Sequence, residues 1–147
     1  PLPGRGFLAE APGGVRVYDD SYNSNPRALE TVLSSLAELP APRKVAVLAD
    51  MLELGPGEYE FHRRAGETVA RTGWDVLVAV GPLAGIMADG ALAAGLAASA
   101  VHRFADAQAA AGAVAGLVRD GDLVLVKGSR GMRTETIVEA LMARGKE

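Results

Sequence analysis

Three polar clusters in the sequence contain the side chains best suited to binding or catalysis. They run from Asp19 to Asn25, from Asp50 to Gly55 and from Lys127 to Gly131, and each follows an apolar run. Carboxylates accept hydrogen bonds, whereas Lys and Arg side chains pair with anions. Because Asp, Asn and Ser are also favoured in turns and at helix N-caps whatever the function, each cluster has a purely structural alternative.

Several positions in these clusters favour ligand contact over the structural alternative. The pair Asp19-Asp20 puts two carboxylates side by side at a strand end, which is costly unless they are solvated or partnered. Lys127 directly follows a buried run, so its ammonium needs an anion or carbonyl groups. Ser129, Arg130 and Arg133 precede or open a predicted helix, and free N–H groups at a helix N-terminus favour negative charge.

The clusters lie between strands and helices that alternate along the chain. The predicted strands are Val15 to Tyr18, Val45 to Ala49, Asp75 to Val80, Val101 to Phe104 and Asp122 to Val126. The predicted helices run from Pro26 up to Pro40, Glu58 to about Arg71, about Leu83 to Leu96, after Asp106 to Val118, and Arg133 to Ala143. Asn25 and Asp106 are predicted N-caps, and Pro26 suits the first helical position.

Five strand-helix pairs predict a three-layer, Rossmann-like α/β domain with a mostly parallel sheet and helices on both faces. Phe7 to Ala9, followed by a Pro-Gly-Gly turn, predicts a sixth, antiparallel strand at the edge. In a parallel sheet the three polar clusters share the carboxyl edge, where open α/β folds bind ligands. Other connections between a strand and the next helix, such as Gly81-Pro82, carry no polar side chains and are interpreted as plain connections.

Composition excludes several classes of function. The chain has 147 residues, 15 basic and 18 acidic side chains and a net charge of −3, without a concentrated basic stripe, so nucleic-acid binding is not expected. There is no Cys, which excludes disulfides and thiol catalysis and fits a reducing compartment. No apolar stretch approaches the roughly 20 residues that span a bilayer, and no signal-peptide pattern is present. We therefore expect a cytoplasmic domain without membrane contact.

The familiar motifs of nucleotide and metal sites are missing as well. Neither a G-x-x-x-x-G-K-[ST] loop nor a G-x-G-x-x-G turn after the first strand is present, so nucleotide contact would involve ribose or base rather than phosphates. His62 and His102 have no second His or Cys at ligand spacing and are interpreted as structural or surface residues. No metal site and no catalytic residue are predicted, and Trp74 is interpreted as packing.

The clusters together resemble the C-terminal domain of the Mur ligase family. The matching stretches are Asp19 to Pro26, Ala49 to Gly55 and Val126 to Arg130, and Pro3 to Gly6 resembles the entry to that domain. The resemblance covers essentially the whole chain and is strongest to the members that add D-Ala-D-Ala to UDP-MurNAc-tripeptide. Ala49 is a small departure, since the family commonly has Gly there.

The resemblance implies a three-domain, ATP-dependent peptidoglycan-precursor ligase of which residues 1–147 are the C-terminal domain, with residues 1–6 linker-like. ATP and Mg²⁺ would be the cofactors of the full enzyme, and its N-terminal and central domains would be partners in cis. This domain alone would be inactive and would bind neither ATP nor Mg²⁺ tightly. By similarity, nucleotide contact falls to Asp20, Tyr22, Asn23 and Ser24. Contact with the acceptor dipeptide falls to Asp50, Met51, Leu52, Lys127, Ser129, Arg130 and Arg133.

Two other readings remain open from the sequence. A free-standing binding module descended from such a ligase would keep the same clusters without the reaction. A receiver-type phospho-acceptor domain also has an acidic pair after the first strand and a Lys after the fifth. Its acceptor Asp, however, ends the third strand, where this chain has Gly81-Pro82 and instead places Asp50 after the second.

Overall fold

The computed structural model describes residues 7–20 and 24–145, which form six strands and five α-helices. The strands are β1 (Phe7–Ala11), β2 (Val15–Asp20), β3 (Lys44–Ala49), β4 (Val76–Val80), β5 (Val101–Phe104) and β6 (Leu123–Lys127). The helices are α1 (Pro26–Ala37), α2 (Glu58–Arg71), α3 (Ala84–Ala93), α4 (Ala107–Leu117) and α5 (Glu135–Met142).

The strands form one sheet in the order β1-β2-β6-β3-β4-β5. Strands β2 to β6 are parallel, and β1 pairs antiparallel with β2 in a register that sets Ala9 opposite Val17. The predicted parallel sheet with an antiparallel edge strand is therefore confirmed. The order of the parallel strands, 1-5-2-3-4 along the chain, differs from the 2-1-3-4-5 order of receiver-type domains, which removes that alternative.

Alternation along the strands separates the core into two layers of different composition. In β6, Val124 and Val126 face the layer formed by α4 and α5, whereas Leu123 and Leu125 face α1, α2 and α3. All four residues have no exposed surface, as expected for a central strand covered on both faces. The sheet thus lies between two layers of helices, which cover both faces of its central strands.

Two glycines allow α2 and α3 to pack backbone against backbone. A Cβ on Gly66 would lie 1.8 Å from the carbonyl oxygen of Met87, and one on Gly90 would lie 2.2 Å from that of Arg63. Any larger side chain would force the helices apart. This contact explains why α3 contains a glycine that lowers its intrinsic helix propensity.

The predicted helix caps are confirmed, but two helix boundaries differ from prediction. The Asn25 side chain accepts from the Ala28 N–H at 2.9 Å, and Asp106 caps α4 in the same way. The last helix begins at Glu135 rather than Arg133, because residues 130–132 form a 3-10 turn and Arg133 has a left-handed backbone with φ 56°. Helix α3 ends early, at Ala93, shortly before Gly95 at φ 108°.

An ion pair lies at the amino edge of the sheet, where the parallel strands begin. Arg43 Nη2 lies 2.7 Å from Asp122 Oδ2, and Arg43 Nε lies 3.1 Å from Asp122 Oδ1. The Asp122 carboxylate also accepts from the Arg119 N–H at 2.8 Å, and the Arg43 guanidinium donates to the Leu117 carbonyl. Asp122 is only 1% exposed, so this pair joins two loops inside the fold.

No helix in the described ranges has the length and apolarity to cross a membrane.

Candidate functional site

The three polar clusters meet at the carboxyl edge of the sheet, as the sequence predicts. Strands β2 and β6 are neighbours, and their register sets Asp20 opposite Lys127. On its other side Lys127 lies opposite Leu48 of β3, two residues before Asp50. The ends of three adjacent strands therefore bring Asp20, Lys127 and Asp50 to one rim.

Asp20 and Lys127 form an ion pair across the ends of β2 and β6. Lys127 Nζ donates to Asp20 Oδ2, and the Lys127 side chain is 2% exposed whereas that of Asp20 is 20% exposed. The anion that a buried ammonium requires is thus supplied by the chain itself. No residue within 7–20 or 24–145 donates to the second oxygen of Asp20, which leaves that oxygen able to accept from a ligand.

Tyr18 lies two residues before Asp20 in β2 and therefore on the same face of the sheet. Burial raises the pKa of the Tyr18 phenol, and the Asp20 carboxylate raises it further because a phenolate would be repelled by it. Both side chains line a groove of about 560 Å³ between β1 and α1, with Leu8 on its outer side. The phenol is therefore a neutral hydroxyl group next to the Asp20 carboxylate.

Of the other predicted nucleotide-contacting residues, Tyr22 and Asn23 lie outside the described ranges. Ser24 is 6% exposed, and its buried hydroxyl oxygen has no hydrogen-bond partner among the described residues. It directly precedes Asn25, whose capping role is confirmed by the structure. Ser24 thus sits at the rim with an unused polar atom.

Asp50 is buried, and its carboxylate is engaged within the fold. It is 3% exposed, and its Oδ1 accepts from the backbone N–H of Ala84 at 2.6 Å, at the start of α3. Gly81 makes room for it, because a Cβ there would lie 2.5 Å from Asp50 Oδ1 and the backbone has φ 109°. The interpretation of Gly81-Pro82 as a plain connection was wrong, since Gly81 is needed for the Asp50 side chain to fit.

Two side chains fix the backbone of the loop that follows Asp50. The Met51 N–H donates to His62 Nε2 at 2.9 Å, and the Leu52 N–H donates to Ser129 Oγ at 2.8 Å. The Ser129 N–H in turn donates to the Asp50 carbonyl at 3.3 Å. The second and third polar clusters are therefore one connected unit. The sequence predicts either a structural or a surface role for His62, and the structure shows that it is buried beneath Met51.

The side chains of the rim residues divide into buried and exposed groups. Met51 has no exposed surface and packs into the core layer beneath α1 to α3. Leu52 is 37% exposed, and Arg130 and Arg133 are exposed as well. Arg133 lines a cavity of about 500 Å³ that reaches the N-terminal turn of α4. Solvent-facing contact at this rim thus falls to Leu52 and the two arginines.

The described part of the chain contains no cluster of three or more His, Asp or Glu side chains able to hold a metal ion. At the rim, Oδ2 of Asp20 pairs with Lys127, and Oδ1 of Asp50 accepts from the Ala84 N–H. The second oxygen of Asp20 is an acceptor to which a hydroxyl group could donate.

Comparison with known proteins identifies relatives over nearly the whole chain. Residues 4–130 match the family described as Mur ligase, glutamate ligase domain. The UDP-N-acetylmuramoyl-tripeptide–D-alanyl-D-alanine ligases of Bacillus subtilis and Escherichia coli are each 32% identical, over 92% and 98% of this chain. The chain spans about 30% of the length of each of these two relatives.

Solved structures give the same result. The MurF ligase from Thermotoga maritima, in complex with ADP, is 30% identical and superposes with a TM-score of 0.80 over 98% of this chain and 31% of its own. A MurF structure from Acinetobacter baumannii is 27% identical with a TM-score of 0.83, over 96% of this chain and 31% of its own. The family match, the sequence relatives and the fold agree, and the chain belongs to the Mur ligase C-terminal domain family.

Proposed function

We propose that this chain is the C-terminal domain of an ATP-dependent ligase that joins D-Ala-D-Ala to UDP-MurNAc-tripeptide in the cytoplasm. The N-terminal and central domains of that ligase would be its partners in cis. The observation that carries the proposal is the rim itself: the Asp20–Lys127 pair lies beside loops joined through Ser129. Relatives with this domain are named as that ligase at 32% identity.

Asp20 is the proposed contact to the nucleotide. Its second carboxylate oxygen has no donor among the described residues, and a carboxylate accepts strongly from the hydroxyl groups of a ribose. Lys127 orients the carboxylate by pairing with the first oxygen. Ser24 would add its unused hydroxyl, and Tyr22 and Asn23 would lie beside the adenosine.

The acceptor dipeptide is proposed to bind along the joined loops. Arg130 and Arg133 are exposed and carry the positive charge that suits the dipeptide carboxylate, and Leu52 offers an apolar contact to its methyl groups. Asp50, Met51 and Ser129 would contribute through the backbone that they hold in place. Lys127 acts only indirectly here, because it is buried against Asp20.

Bond chemistry is assigned to the other domains. In the complete ligase, ATP would supply the phosphoryl group that activates the peptide carboxylate, and Mg²⁺ would neutralise charge on the phosphates. This domain has no phosphate-loop motif, and its described residues contain no cluster of metal ligands. Its residues orient the ribose and the amine of the acceptor. Closure of the domain over the site would exclude water, which protects an acyl phosphate from hydrolysis.

The first test compares the isolated chain with the complete ligase. The isolated chain is expected to hydrolyse no ATP and to bind ATP more weakly than micromolar in calorimetry, since the phosphate contacts lie elsewhere. ATP hydrolysis by the pure chain, or a micromolar dissociation constant for ATP, would overturn the assignment of phosphate binding and bond chemistry to the other domains.

The second test is Asp20→Ala in the complete ligase. Loss of a charge-assisted hydrogen bond predicts a KM for ATP raised roughly tenfold, with the KM for UDP-MurNAc-tripeptide unchanged. Asp89→Ala is the matched control, because Asp89 is an exposed carboxylate that pairs with Arg103 away from the rim. An unchanged KM for ATP in Asp20→Ala removes Asp20 from the nucleotide site.

A further inference from the structure

We infer that His62 is a positioning residue that sets the backbone of the loop from Asp50 to Gly55 for acceptor binding. This inference rests on the proposed function, because it assigns to the loop the acceptor contact suggested above. His62 lies on α2 beneath the loop and has no exposed surface. It would act only through the loop that it holds.

The hydrogen bonds of His62 define its protonation state. Nδ1 lies 2.6 Å from the Glu58 carbonyl oxygen, which can only accept, so Nδ1 carries the proton. Nε2 lies 2.9 Å from the Met51 backbone nitrogen, which can only donate, so Nε2 is the acceptor. The imidazole is therefore neutral with its proton on Nδ1, and the first turn of α2 fixes its orientation.

His62 continues backbone pairing beyond the point where the sheet ends. The Asp50 N–H donates to the Val80 carbonyl at 3.2 Å, as the last link between β3 and β4. The next N–H, of Met51, donates to the imidazole, and the one after it, of Leu52, donates to the Ser129 hydroxyl. Two side chains thus replace a strand partner for two successive residues.

The same contacts explain how the loop can turn outward at the rim. Glu53 has a left-handed backbone with φ 62°, which costs a non-glycine residue free energy and needs support from its surroundings. Fixing Met51 and Leu52 immediately before it provides that support. Leu52 is consequently presented at the rim, with its Cδ1 close to Gly131 of the other loop. An apolar side chain in place of His62 would fill the space but leave the Met51 N–H buried without an acceptor.

The first experiment reads the tautomer directly on this chain. Two-dimensional ¹H–¹⁵N NMR of the imidazole is expected to show His62 neutral with its proton on Nδ1, and the Met51 amide strongly protected from hydrogen exchange. His102, half-exposed on β5, serves as the internal reference. A proton on Nε2, or a Met51 amide that exchanges at the rate of an open loop, overturns the inference.

The second experiment uses a matched pair of amide substitutions. In His62→Gln the side-chain oxygen falls near the Nε2 position and still accepts from Met51, whereas in His62→Asn the amide reaches only the Glu58 carbonyl. In the complete ligase, His62→Asn is expected to raise the KM for D-Ala-D-Ala about tenfold with the KM for ATP unchanged, and His62→Gln should stay within about twofold of wild type. His102→Asn is the control for a general effect of the substitution.

The outcomes separate this inference from the proposed function. Thermal melts of the isolated chain show whether both variants fold, and if His62→Asn does not, the His62→Gln kinetics and the tautomer remain as tests. Equal acceptor KM values for the two variants overturn the positioning role if Arg130→Ala and Arg133→Ala still raise that KM. If the arginine variants also leave it unchanged, the acceptor assignment itself fails.

Discussion

The two ends of the strands each carry an ion pair with one buried partner, but the two pairs have different roles. At the amino edge, Asp122 is 1% exposed and both of its oxygens are taken up by Arg43 and the Arg119 N–H. At the carboxyl edge, Asp20 is 20% exposed, and within the described ranges only Lys127 donates to it. The first pair is saturated and serves the fold. The second keeps an acceptor available, which is what a binding site requires.

Asp122→Ala is the largest effect expected from this comparison. It leaves the Arg43 guanidinium partly buried without its carboxylate, so the free energy of unfolding should fall by about 3 kcal/mol. The KM for ATP of the complete ligase should not change, because this edge is remote from the rim. Urea unfolding of the chain and steady-state kinetics check the two parts.

Asp120→Ala is the matched control for that prediction. Asp120 also pairs with an arginine, Arg144, but its side chain is 80% exposed. Exposed ion pairs contribute little to stability, so the urea midpoint should stay at the wild-type value. If both variants lose the same stability, the saturated pair at Asp122 has no special role in the fold.

Lys127→Met should affect stability and binding together, which distinguishes the carboxyl edge from the amino edge. Met fills the volume of the buried stem, but Asp20 loses its partner, and its partial exposure limits the loss to about 2 kcal/mol. Because the orientation of Asp20 is also lost, the KM for ATP should rise severalfold. If Lys127→Met is destabilised but its KM for ATP is unchanged, the Asp20–Lys127 pair serves only the fold, as the Arg43–Asp122 pair does.

The smallest expected effect is the pH dependence that Tyr18 contributes. Its pKa is raised above the ordinary 10.0 by burial and by Asp20, so the folded state favours the protonated phenol. The stabilisation is complete below pH 10 and is lost as the pH rises through the raised pKa. Urea midpoints between pH 9 and 11.5 should therefore fall more steeply for wild type than for Tyr18→Phe, and parallel curves would contradict the assignment.

The sequence predicts those features that depend on local pattern. The strand runs, the caps at Asn25 and Asp106 and the shared carboxyl edge follow from periodicity and from the geometry of parallel sheets, and the structure confirms them. The start of α5 was missed because the left-handed turn at Arg133 has no glycine to mark it.

Contacts between segments far apart in the sequence could not be predicted, for a physical reason. Asp20 and Lys127 are separated by 107 residues, and their pairing requires β6 to insert between β2 and β3, an order that periodicity does not encode. The sequence shows that each needs a partner but not that they are partners of each other. The contact between His62 and Met51 similarly depends on how α2 is rotated against the sheet.

The glycine contact between α2 and α3 has a mechanical consequence for the rim. Gly66 and Gly90 lie so close to the opposing main chain that no side chain fits between the two helices. Such close packing favours movement of α2 and α3 as one unit. The Asp50 loop is hydrogen-bonded to both helices. The Asp50 carboxylate accepts from the Ala84 N–H of α3, and the Met51 N–H donates to His62 of α2. If the domain closes over the site as proposed, the loop would move together with the two helices. The alignment of a bound molecule would then depend on the direction of closure and not on bending within the loop.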